Sequence, residues 1–206
     1  MTHSELLIAT HNSGKLRELR ELLGEHRFEL RDLHSFPSAE IIEETGNTFA
    51  ENARLKAAGY AMQTRLMTLA DDSGLEVSAL GGLPGVRSAR YAGDGASDAA
   101  RVEKLLSELS AETSGHRAAQ FVCAIAIADR TGAILNVSTG VCAGEIASAS
   151  RGNNGFGYDP VFIPAGFDRT FAELAADVKN QISHRAQALK KAAEFLRSLT
   201  ADSRAG

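Results

Sequence analysis

An apolar segment that ends in two adjacent aspartates constrains this chain more than any other feature. The segment runs from Leu66 to Ala70, and Asp71-Asp72-Ser73-Gly74 follows it directly. Apolar segments of this length are typical of buried strands, and we expect a turn at Ser73-Gly74 to follow. A strand that ends in Asp-Asp places negative charge at the edge of a sheet, where ligands of open α/β sheets usually bind. Neighbouring side chains point to opposite faces, so one aspartate can face a ligand while the other braces the turn.

Size and charge narrow the class of protein. The chain has 206 residues, of which 44% are hydrophobic and 23% charged, as is typical of a globular protein with a substantial core. We expect a single domain over residues 1–206, as one substantial body or as two lobes that share a sheet, with a frayed tail from about residue 200 to 206. There are 22 Lys and Arg against 26 Asp and Glu. A general nucleic-acid-binding protein carries a basic excess, so we expect no nucleic-acid partner.

The cysteines and the N-terminus indicate the compartment. Cys123 and Cys142 lie in apolar stretches and match no metal-binding spacing, which predicts two buried, reduced thiols. The first residues lack the long apolar region of a signal peptide, and no apolar run approaches the length of a membrane span. These observations predict a cytoplasmic protein with no membrane partner.

Hydrophobic periodicity predicts a chain that mixes strands and helices. We expect strands over residues 5–9, 28–33, 66–70 and 75–80, and a hairpin of central strands over 121–128 and 133–143. Helix starts are indicated by a capping box from Thr48 to Glu51, by Ser97 and by Ser183. A second capping box is expected from Thr170 to Glu173.

The first segment that could carry chemistry is the loop from Thr10 to Lys15, which joins the first predicted strand to the first predicted helix. Backbone amides at a helix N-terminus are unpaired and bind anions readily. Lys15 adds a mobile positive charge and Thr10 a hydroxyl. The loop lacks the spacing of a Walker phosphate loop. It predicts a phosphate-binding site, and the alternative is an ordinary polar turn.

An acidic pair and a helical lysine form the second candidate. Glu43 and Glu44 precede a predicted helix on which Asn52 and Lys56, four residues apart, share a face. Glu44 lies in a flexible stretch and could reach a metal ion. The alternative is a solvated acidic loop beside a surface lysine.

Two later segments could read a nucleobase. Gly155 and Gly157 flank Phe156, so the backbone can expose a ring on which a base stacks, and Asp159 can accept hydrogen bonds from the edge of a base. Further along, Lys179 and Ser183-His184-Arg185 gather donors for a base carbonyl or for phosphate. The alternatives are a turn with one core aromatic residue and a helix cap followed by surface side chains.

Taken in order, these segments resemble the inosine triphosphate pyrophosphatase family, also called Ham1-like, from residue 5 to about 197. One departure is His11, at a position where the bacterial family often has Gly, which bears on the fine shape of the phosphate loop. The residues that carry the resemblance are Thr10-x-Asn12-x-x-Lys15, Glu43-Glu44-Thr45-Gly46, Thr48-Phe49-x-Glu51-Asn52-Ala53 with Lys56, Asp71-Asp72-Ser73-Gly74, Gly81-Gly82-x-Pro84-Gly85, Ser88-Ala89-Arg90-Tyr91, Gly155-Phe156-Gly157-Tyr158-Asp159-Pro160 and Ser183-His184-Arg185.

The resemblance implies an α/β fold with an elongated mixed β-sheet, flanking helices and two lobes around a central cleft. It also implies a homodimer. The implied reaction is hydrolysis of the non-standard purine nucleoside triphosphates ITP, dITP and XTP to the monophosphate and pyrophosphate, by metal-assisted attack of water at the α-phosphorus. The implied cofactor is Mg²⁺, with one or more ions per subunit.

The resemblance assigns roles to individual residues. Asp72 matches the family's proton acceptor, and Glu44 and Asp72 match its magnesium ligands, with Glu43 as the alternative to Glu44. Lys15, Lys56 and Lys179 could supply the phosphate cradle that an acidic chain needs. The implied substrate-binding residues are Thr10, His11, Asn12, Ser13, Gly14, Lys15, Lys56, Ser73, Arg90, Phe156, Gly157, Tyr158, Asp159, Lys179, His184 and Arg185.

Three other interpretations remain at this point. The first is a related pyrophosphatase that acts on pyrimidine or methylated nucleotides. The second is a non-catalytic nucleotide-binding regulator, which gains little from carboxylates that repel phosphate. The third is an aspartyl-phosphate phosphatase, whose Asp-x-Asp spacing is absent from Asp71-Asp72-Ser73.

Overall fold

The computed structural model describes residues 4–23, 28–112 and 115–202. Of the tail expected from about residue 200, residues 203–206 lie outside this described part. Short 3-10 helices cover Leu33–Ser35, Ser78–Leu80 and Gly85–Arg90. The strands are β1 (Ser4–Ile8), β2 (Phe28–Asp32), β3 (Met67–Val77), β4 (Ala118–Ala128), β5 (Ile134–Ile146) and β6 (Phe162–Pro164), and the helices are α1 (Ser13–Leu23), α2 (Phe49–Thr64), α3 (Asp98–Ala111), α4 (Ala176–Ile182) and α5 (His184–Asp202).

The strands form one mixed sheet in the order β2-β1-β3-β4-β5-β6. β1 runs parallel to both of its neighbours, with Leu7 opposite Arg31 in β2 and Thr68 in β3. β5 pairs with β6 in the antiparallel sense, with Glu145 opposite Ile163. The mixed α/β class is therefore confirmed, and the two strands predicted as a hairpin are neighbours in the sheet.

The predicted turn after the aspartate pair is wrong. β3 continues through Asp71-Asp72-Ser73-Gly74 and ends only at Val77. Of the separate strand expected at residues 75–80, residues 75–77 are therefore the end of β3, and Ser78–Leu80 form a 3-10 helix. Leu75 and Val77 are fully buried, which extends the apolar character of the strand beyond the acidic residues. Asp71 and Asp72 are themselves buried. Cations from other parts of the chain neutralise their charge. The residues next to the aspartates in the sequence give no sign of these ion pairs.

Of the four expected helix caps, two form the predicted hydrogen bonds, and a third, Ser183, directly precedes α5. Thr48 and Glu51 form the complete capping box of α2, and the Ser97 hydroxyl accepts from the Ala100 amide at the start of α3. The second expected capping box, at Thr170–Glu173, starts no helix. The Thr170 hydroxyl donates to the carbonyl of Arg151 at 2.8 Å, so the segment closes a turn instead, and α4 begins at Ala176.

The chain divides into two compact units. The first unit comprises residues 1–72, 123–140 and 185–206, and the second comprises residues 73–122 and 141–184. The core of the first unit is built from β1, α1, β3, β4 and α5, with members such as Leu6, Leu69 and Ile125. The core of the second unit includes Phe121, Phe162 and Phe171, whose rings pack against one another.

Two further expectations concern the cysteines and the membrane. Cys123 lies in the core of the first unit and Cys142 in that of the second; both are buried and free, as predicted. Among the described residues, no helix combines the length and the apolar character that crossing a membrane requires.

Candidate active site

The loop between β1 and α1 presents the start of a helix. Asn12 caps α1, since its Oδ1 accepts from the Lys15 amide at 3.0 Å. Thr10 in turn holds Asn12, because its hydroxyl accepts from the Asn12 amide at 3.2 Å. Asn12 and Ser13 are exposed, whereas Gly14 is buried in the first turn. A capped, polar helix start of this kind favours an anionic ligand.

His11 anchors this loop to α2. Its Nε2 lies 3.0 Å from the Tyr60 hydroxyl, which also accepts from the Ile42 amide at 3.4 Å. The imidazole therefore makes a contact that a glycine at this position could not make. This difference is local, because the capping of α1 by Asn12 does not depend on it.

Asp71 is the buried counter-ion of two cations. Its Oδ2 lies 3.1 Å from Lys15 Nζ and 3.3 Å from both Nε and Nη2 of Arg185. Arg185 also donates through Nη1 to Glu18. Burial alone would raise the pKa of Asp71, but the charges of Lys15, Arg185 and Lys56 outweigh it and hold the pKa well below its usual range. Asp71 therefore stays ionised and fixes the position of Lys15.

Asp72, the next residue, has different partners. Its Oδ1 lies 3.2 Å from Lys56 Nζ, and its Oδ2 accepts from Asn52 Nδ2 at 3.2 Å. Burial raises the pKa of Asp72, and the negative charges of Glu44 and Asp71 raise it further, against the opposing effect of Lys56 and Lys15. Asp72 therefore holds a proton more readily than an exposed aspartate does.

Lys56 joins Asp72 to Glu44. Its Nζ lies 2.6 Å from Glu44 Oε1, so two carboxylates converge on one ammonium group. Burial would lower the pKa of Lys56, but the surrounding charges of Asp72, Asp71 and Glu44 raise it above its ordinary value. The lysine is therefore a cation.

Local structure sets the position of Glu44. The Asn52 side chain accepts from the Gly46 amide at 2.8 Å, while its Nδ2 donates to Asp72. A side chain at Gly46 would place its Cβ only 2.6 Å from Glu51 Cβ, so the loop requires glycine there. Glu43 is exposed, whereas Glu44 is half-buried and contacts Lys56. Between the two glutamates, the geometry favours Glu44.

The donor set fits a hard divalent cation. The Glu44 and Asp72 oxygens that contact Lys56 Nζ converge on one point, which two carboxylate ligands of a metal ion must also do. Among the described residues, no three His, Cys, Asp or Glu side chains are grouped closely enough to hold a metal by themselves. Mg²⁺ is commonly bound by one or two carboxylates, with water and substrate phosphates as its other ligands. The residues present therefore fit magnesium.

In the second unit, Asp159 and Lys179 hold the segment from Gly155 to Asp159, the Phe156 loop. Asp159 Oδ2 accepts from the Phe156 amide at 2.9 Å and lies 2.5 Å from Lys179 Nζ. The Lys179 ammonium lies 5.0 Å from the centroid of the Phe156 ring. A Cβ at Gly155, where φ is +77°, would collide with the Asp159 carboxylate. Asp159 and Lys179 are both buried, so they shape the loop from inside.

Two more contacts fix this loop. The Gly157 amide donates to Asp98 Oδ2 at 2.6 Å, and the Tyr158 hydroxyl donates to the Ser88 carbonyl at 3.0 Å. Asp98 is the first residue of α3 and was not among the residues that the sequence indicated. Since 59 positions separate it from Gly157, no spacing pattern could have revealed the contact.

The remaining candidate residues have varied environments. The His184 ring is buried and stacks on Phe121 with 4.6 Å between centroids. Ser73 is half-buried in β3, and Arg90 is exposed at the end of its 3-10 helix. Arg185 is almost fully buried beside Asp71 and Glu18. The sequence did not indicate these ion pairs of the Arg185 guanidinium with Asp71 and Glu18.

Comparisons with known proteins agree with the fold and the motifs described above. The model of the Ham1 family matches residues 6–195. The chain is 48% identical to the dITP/XTP pyrophosphatase of Bacillus subtilis (strain 168) over 192 residues, which cover 93% of this chain and 96% of the relative. It is 50% identical to the dITP/XTP pyrophosphatase of Geobacillus kaustophilus over 189 residues, 91% of each chain.

Solved structures give the same result. A HAM1 protein from Coxiella burnetii superimposes with a TM-score of 0.87 at 47% identity, covering 95% of this chain and 99% of the other. The Ham1 protein of Staphylococcus aureus gives a TM-score of 0.84 at 41% identity, with the same coverage. Residues 6–195, which the family model matches, contain the ion pairs Lys15–Asp71 and Lys56–Asp72 of the first unit and the Phe156 loop of the second. The motifs, the fold and the family model therefore agree, and the chain belongs to the Ham1 family.

Proposed function

We propose that this protein hydrolyses the non-standard purine nucleoside triphosphates ITP, dITP and XTP to the nucleoside monophosphate and pyrophosphate. The observation that carries the proposal is the convergence of Glu44 and Asp72 on one cationic point, in the same unit as the capped start of α1 and Lys15. The names of the relatives, dITP/XTP pyrophosphatases, support the choice of substrates.

The loop from Thr10 to Lys15 binds the phosphates. The first amides of α1 and the Lys15 ammonium offer hydrogen bonds and positive charge to a polyanion. Asp71 keeps Lys15 in place, and Arg185 contacts the same carboxylate. Lys56 is the second phosphate donor in this unit.

Glu44 and Asp72 are the carboxylates that would hold Mg²⁺. When bound, the ion lowers the pKa of a coordinated water and offsets negative charge at the α-phosphorus. Asp72 accepts the proton of the attacking water. Asn52 holds Asp72 through Oδ2, which keeps the carboxylate oriented during proton transfer. Water adds to the α-phosphorus, and the bond to the oxygen bridging the α- and β-phosphates breaks, releasing pyrophosphate.

The Phe156 loop and His184, which belong to the same unit, recognise the base. The Phe156 ring supplies a stacking surface, typically worth about 1–3 kcal/mol per base. An imidazole N–H donates to an oxygen at position 6 of the base and would face the donor amine of adenine unfavourably. A mispaired buried polar group costs about 1–3 kcal/mol. We also expect the protein to be a homodimer, which sedimentation equilibrium measures.

A product assay tests the proposal. The protein is incubated with ITP and Mg²⁺, and pyrophosphate and orthophosphate are quantified separately, with IMP identified by chromatography. ATP, GTP, UTP and a methylated nucleotide are run in parallel. We expect pyrophosphate and IMP from ITP, with slower turnover of the standard nucleotides. Orthophosphate as the first product, faster turnover of the pyrimidine or methylated nucleotide, or no turnover at all would each contradict the proposal.

A further inference from the structure

Lys56 occupies the point at which the two proposed metal ligands meet. Its Nζ is 2.6 Å from Glu44 Oε1 and 3.2 Å from Asp72 Oδ1. A magnesium ion binds carboxylate oxygen at about 2.1 Å. An ion bound by these same two oxygens would therefore occupy nearly the same space as the ammonium group, and two cations repel at such a distance.

We propose that Lys56 is the resident cation of the metal site and is exchanged for the metal ion during substrate binding. The ammonium leaves Glu44 and Asp72 as the metal enters, and it then contacts the phosphates that arrive with the metal. This inference rests on the proposed function, because it takes the metal and the triphosphate from it. It predicts that free metal ions bind weakly and that the metal–nucleotide complex is the species the site accepts.

The side chains around Lys56 allow such an exchange. Lysine carries a compact charge on a flexible four-carbon stem, so Nζ can move while α2 stays in place. Asp72 contacts Lys56 through Oδ1 but Asn52 through Oδ2. When Lys56 departs, the hydrogen bond from Asn52 that orients the Asp72 carboxylate therefore remains. Glu44 is likewise retained by its loop, which Asn52 holds at Gly46.

Lys15 provides a matched control. It is a lysine in the same unit with similar side-chain exposure, 14% against 11% for Lys56. Its carboxylate partner is Asp71, which Arg185 also neutralises. Removing Lys15 takes away one positive charge near the cluster but leaves the contacts of Glu44 and Asp72 with Lys56 intact. A general electrostatic effect would therefore appear in both variants, whereas an exchange would appear only at Lys56.

The experiment measures metal binding without nucleotide. Mn²⁺ binding is followed by electron paramagnetic resonance in the wild-type protein and in the Lys56→Met and Lys15→Met variants, with circular dichroism to verify folding. We expect Lys56→Met to bind Mn²⁺ at least about ten-fold more tightly than wild type, because the competing cation is gone. Lys15→Met should change the affinity by less than about three-fold. Lys56→Gln, which keeps a polar end but no charge, is the second variant should Lys56→Met not fold.

Thermal unfolding gives an independent readout. Without metal, Lys56→Met should unfold at a lower temperature than wild type, because Glu44 and Asp72 lose their shared cation. Added Mg²⁺ should raise its Tm by more than it raises that of wild type or Lys15→Met. Unchanged or weaker Mn²⁺ binding by the Lys56 variants, or an equal gain in Lys15→Met, would overturn the inference. None of these measurements uses turnover, so a failure of the proposed function would appear separately in the product assay.

Discussion

Asp71 and Asp72 are neighbours in β3, yet their carboxylates pair with different cations. Asp71 contacts Lys15 and Arg185, whereas Asp72 contacts Lys56 and is oriented by Asn52. Opposite side-chain directions on a strand make this separation possible. The pKa of Asp71 is held low and that of Asp72 is raised. One carboxylate therefore serves as a permanent internal charge, and the other is suited to exchange a proton.

The first prediction concerns Asp72→Asn. The amide keeps the shape of the side chain but cannot accept the proton of the attacking water. We expect kcat for ITP to fall by about 10³-fold or more, since general-base catalysis typically contributes about 10²–10⁴-fold. KM should change by only a few-fold. Pyrophosphate release measured at several substrate concentrations separates the two constants, and a kcat near the wild-type value would remove Asp72 from the role of base.

The second prediction concerns Lys15→Ala. The variant loses a cation at the phosphate loop, and a hydrogen bond to a charged group is worth about 1.5–3 kcal/mol. We therefore expect KM for ITP to rise by roughly ten-fold to a hundred-fold. Lys191→Ala is the control, because the ammonium of Lys191 donates to the Thr139 carbonyl at an exposed position. Equal KM values for the two variants would exclude Lys15 from phosphate binding.

The third prediction concerns Arg185→Ala. The guanidinium is buried between Asp71 and Glu18, and its removal leaves two buried carboxylates without this cation. Breaking a buried ion pair costs about 3–5 kcal/mol, so the free energy of unfolding should fall by that amount in urea titrations at neutral pH. Arg20→Ala, which removes an exposed partner of Asp32, should cost about 1 kcal/mol or less. A similar loss in both variants would contradict a special role for the buried network.

The fourth prediction concerns Asp98→Ala. This change removes the acceptor for the Gly157 amide and loosens the Phe156 loop. If that loop binds the base, KM for ITP should rise by about ten-fold, the equivalent of about 1.4 kcal/mol, with a smaller change in kcat. Ser97→Ala is the matched control, since it removes the cap of α3 but not the contact with Gly157. An effect of Ser97→Ala as large as that of Asp98→Ala would assign the loss to α3 rather than to the loop.

The fifth prediction concerns stability at high pH. Burial, together with the charge of Asp71, raises the pKa of Cys123 to about 12, above the value of about 8.5 for an exposed thiol. The folded state keeps the proton longer than the unfolded state does. This contribution to stability is therefore complete below pH 8.5 and is lost as the pH rises towards 12.

Urea titrations between pH 8 and pH 11 in the presence of a reductant measure this effect. Cys123→Ala should lose less stability over that range than wild type does. Cys142→Ala should behave similarly, because burial raises the pKa of Cys142 to about 11. Identical slopes of stability against pH in wild type and Cys123→Ala would contradict the prediction.

Local patterns of the sequence predicted most of the secondary structure correctly. The leucines of α1, the Thr48–Glu51 capping box and the Ser97 cap involve residues within a few positions of one another. Interactions at this range depend little on the rest of the fold. The same approach failed at Ser73-Gly74 and at Thr170–Glu173, where burial of Leu75 and Val77 and the hydrogen bond of Thr170 to Arg151 overrode the local preference.

The candidate site shows the same limit. The sequence could not choose between Glu43 and Glu44, because adjacent carboxylates look alike until the loop around Gly46 is fixed by Asn52. Nor could it indicate Asp98, whose partner is distant in the chain. Arg185 was expected to donate to a base, but its contacts with Asp71 and Glu18 arise only when α5, β3 and α1 pack together.

By itself, the sequence determined the class of fold, the family and the set of chemically active residue types, because composition, periodicity and ordered motifs are properties of the chain. The tertiary structure alone decided which carboxylate meets which cation. Charges separated by dozens of residues come within hydrogen-bonding distance only after the strands and helices have packed. Their burial then determines which of them stay ionised and which can exchange a proton.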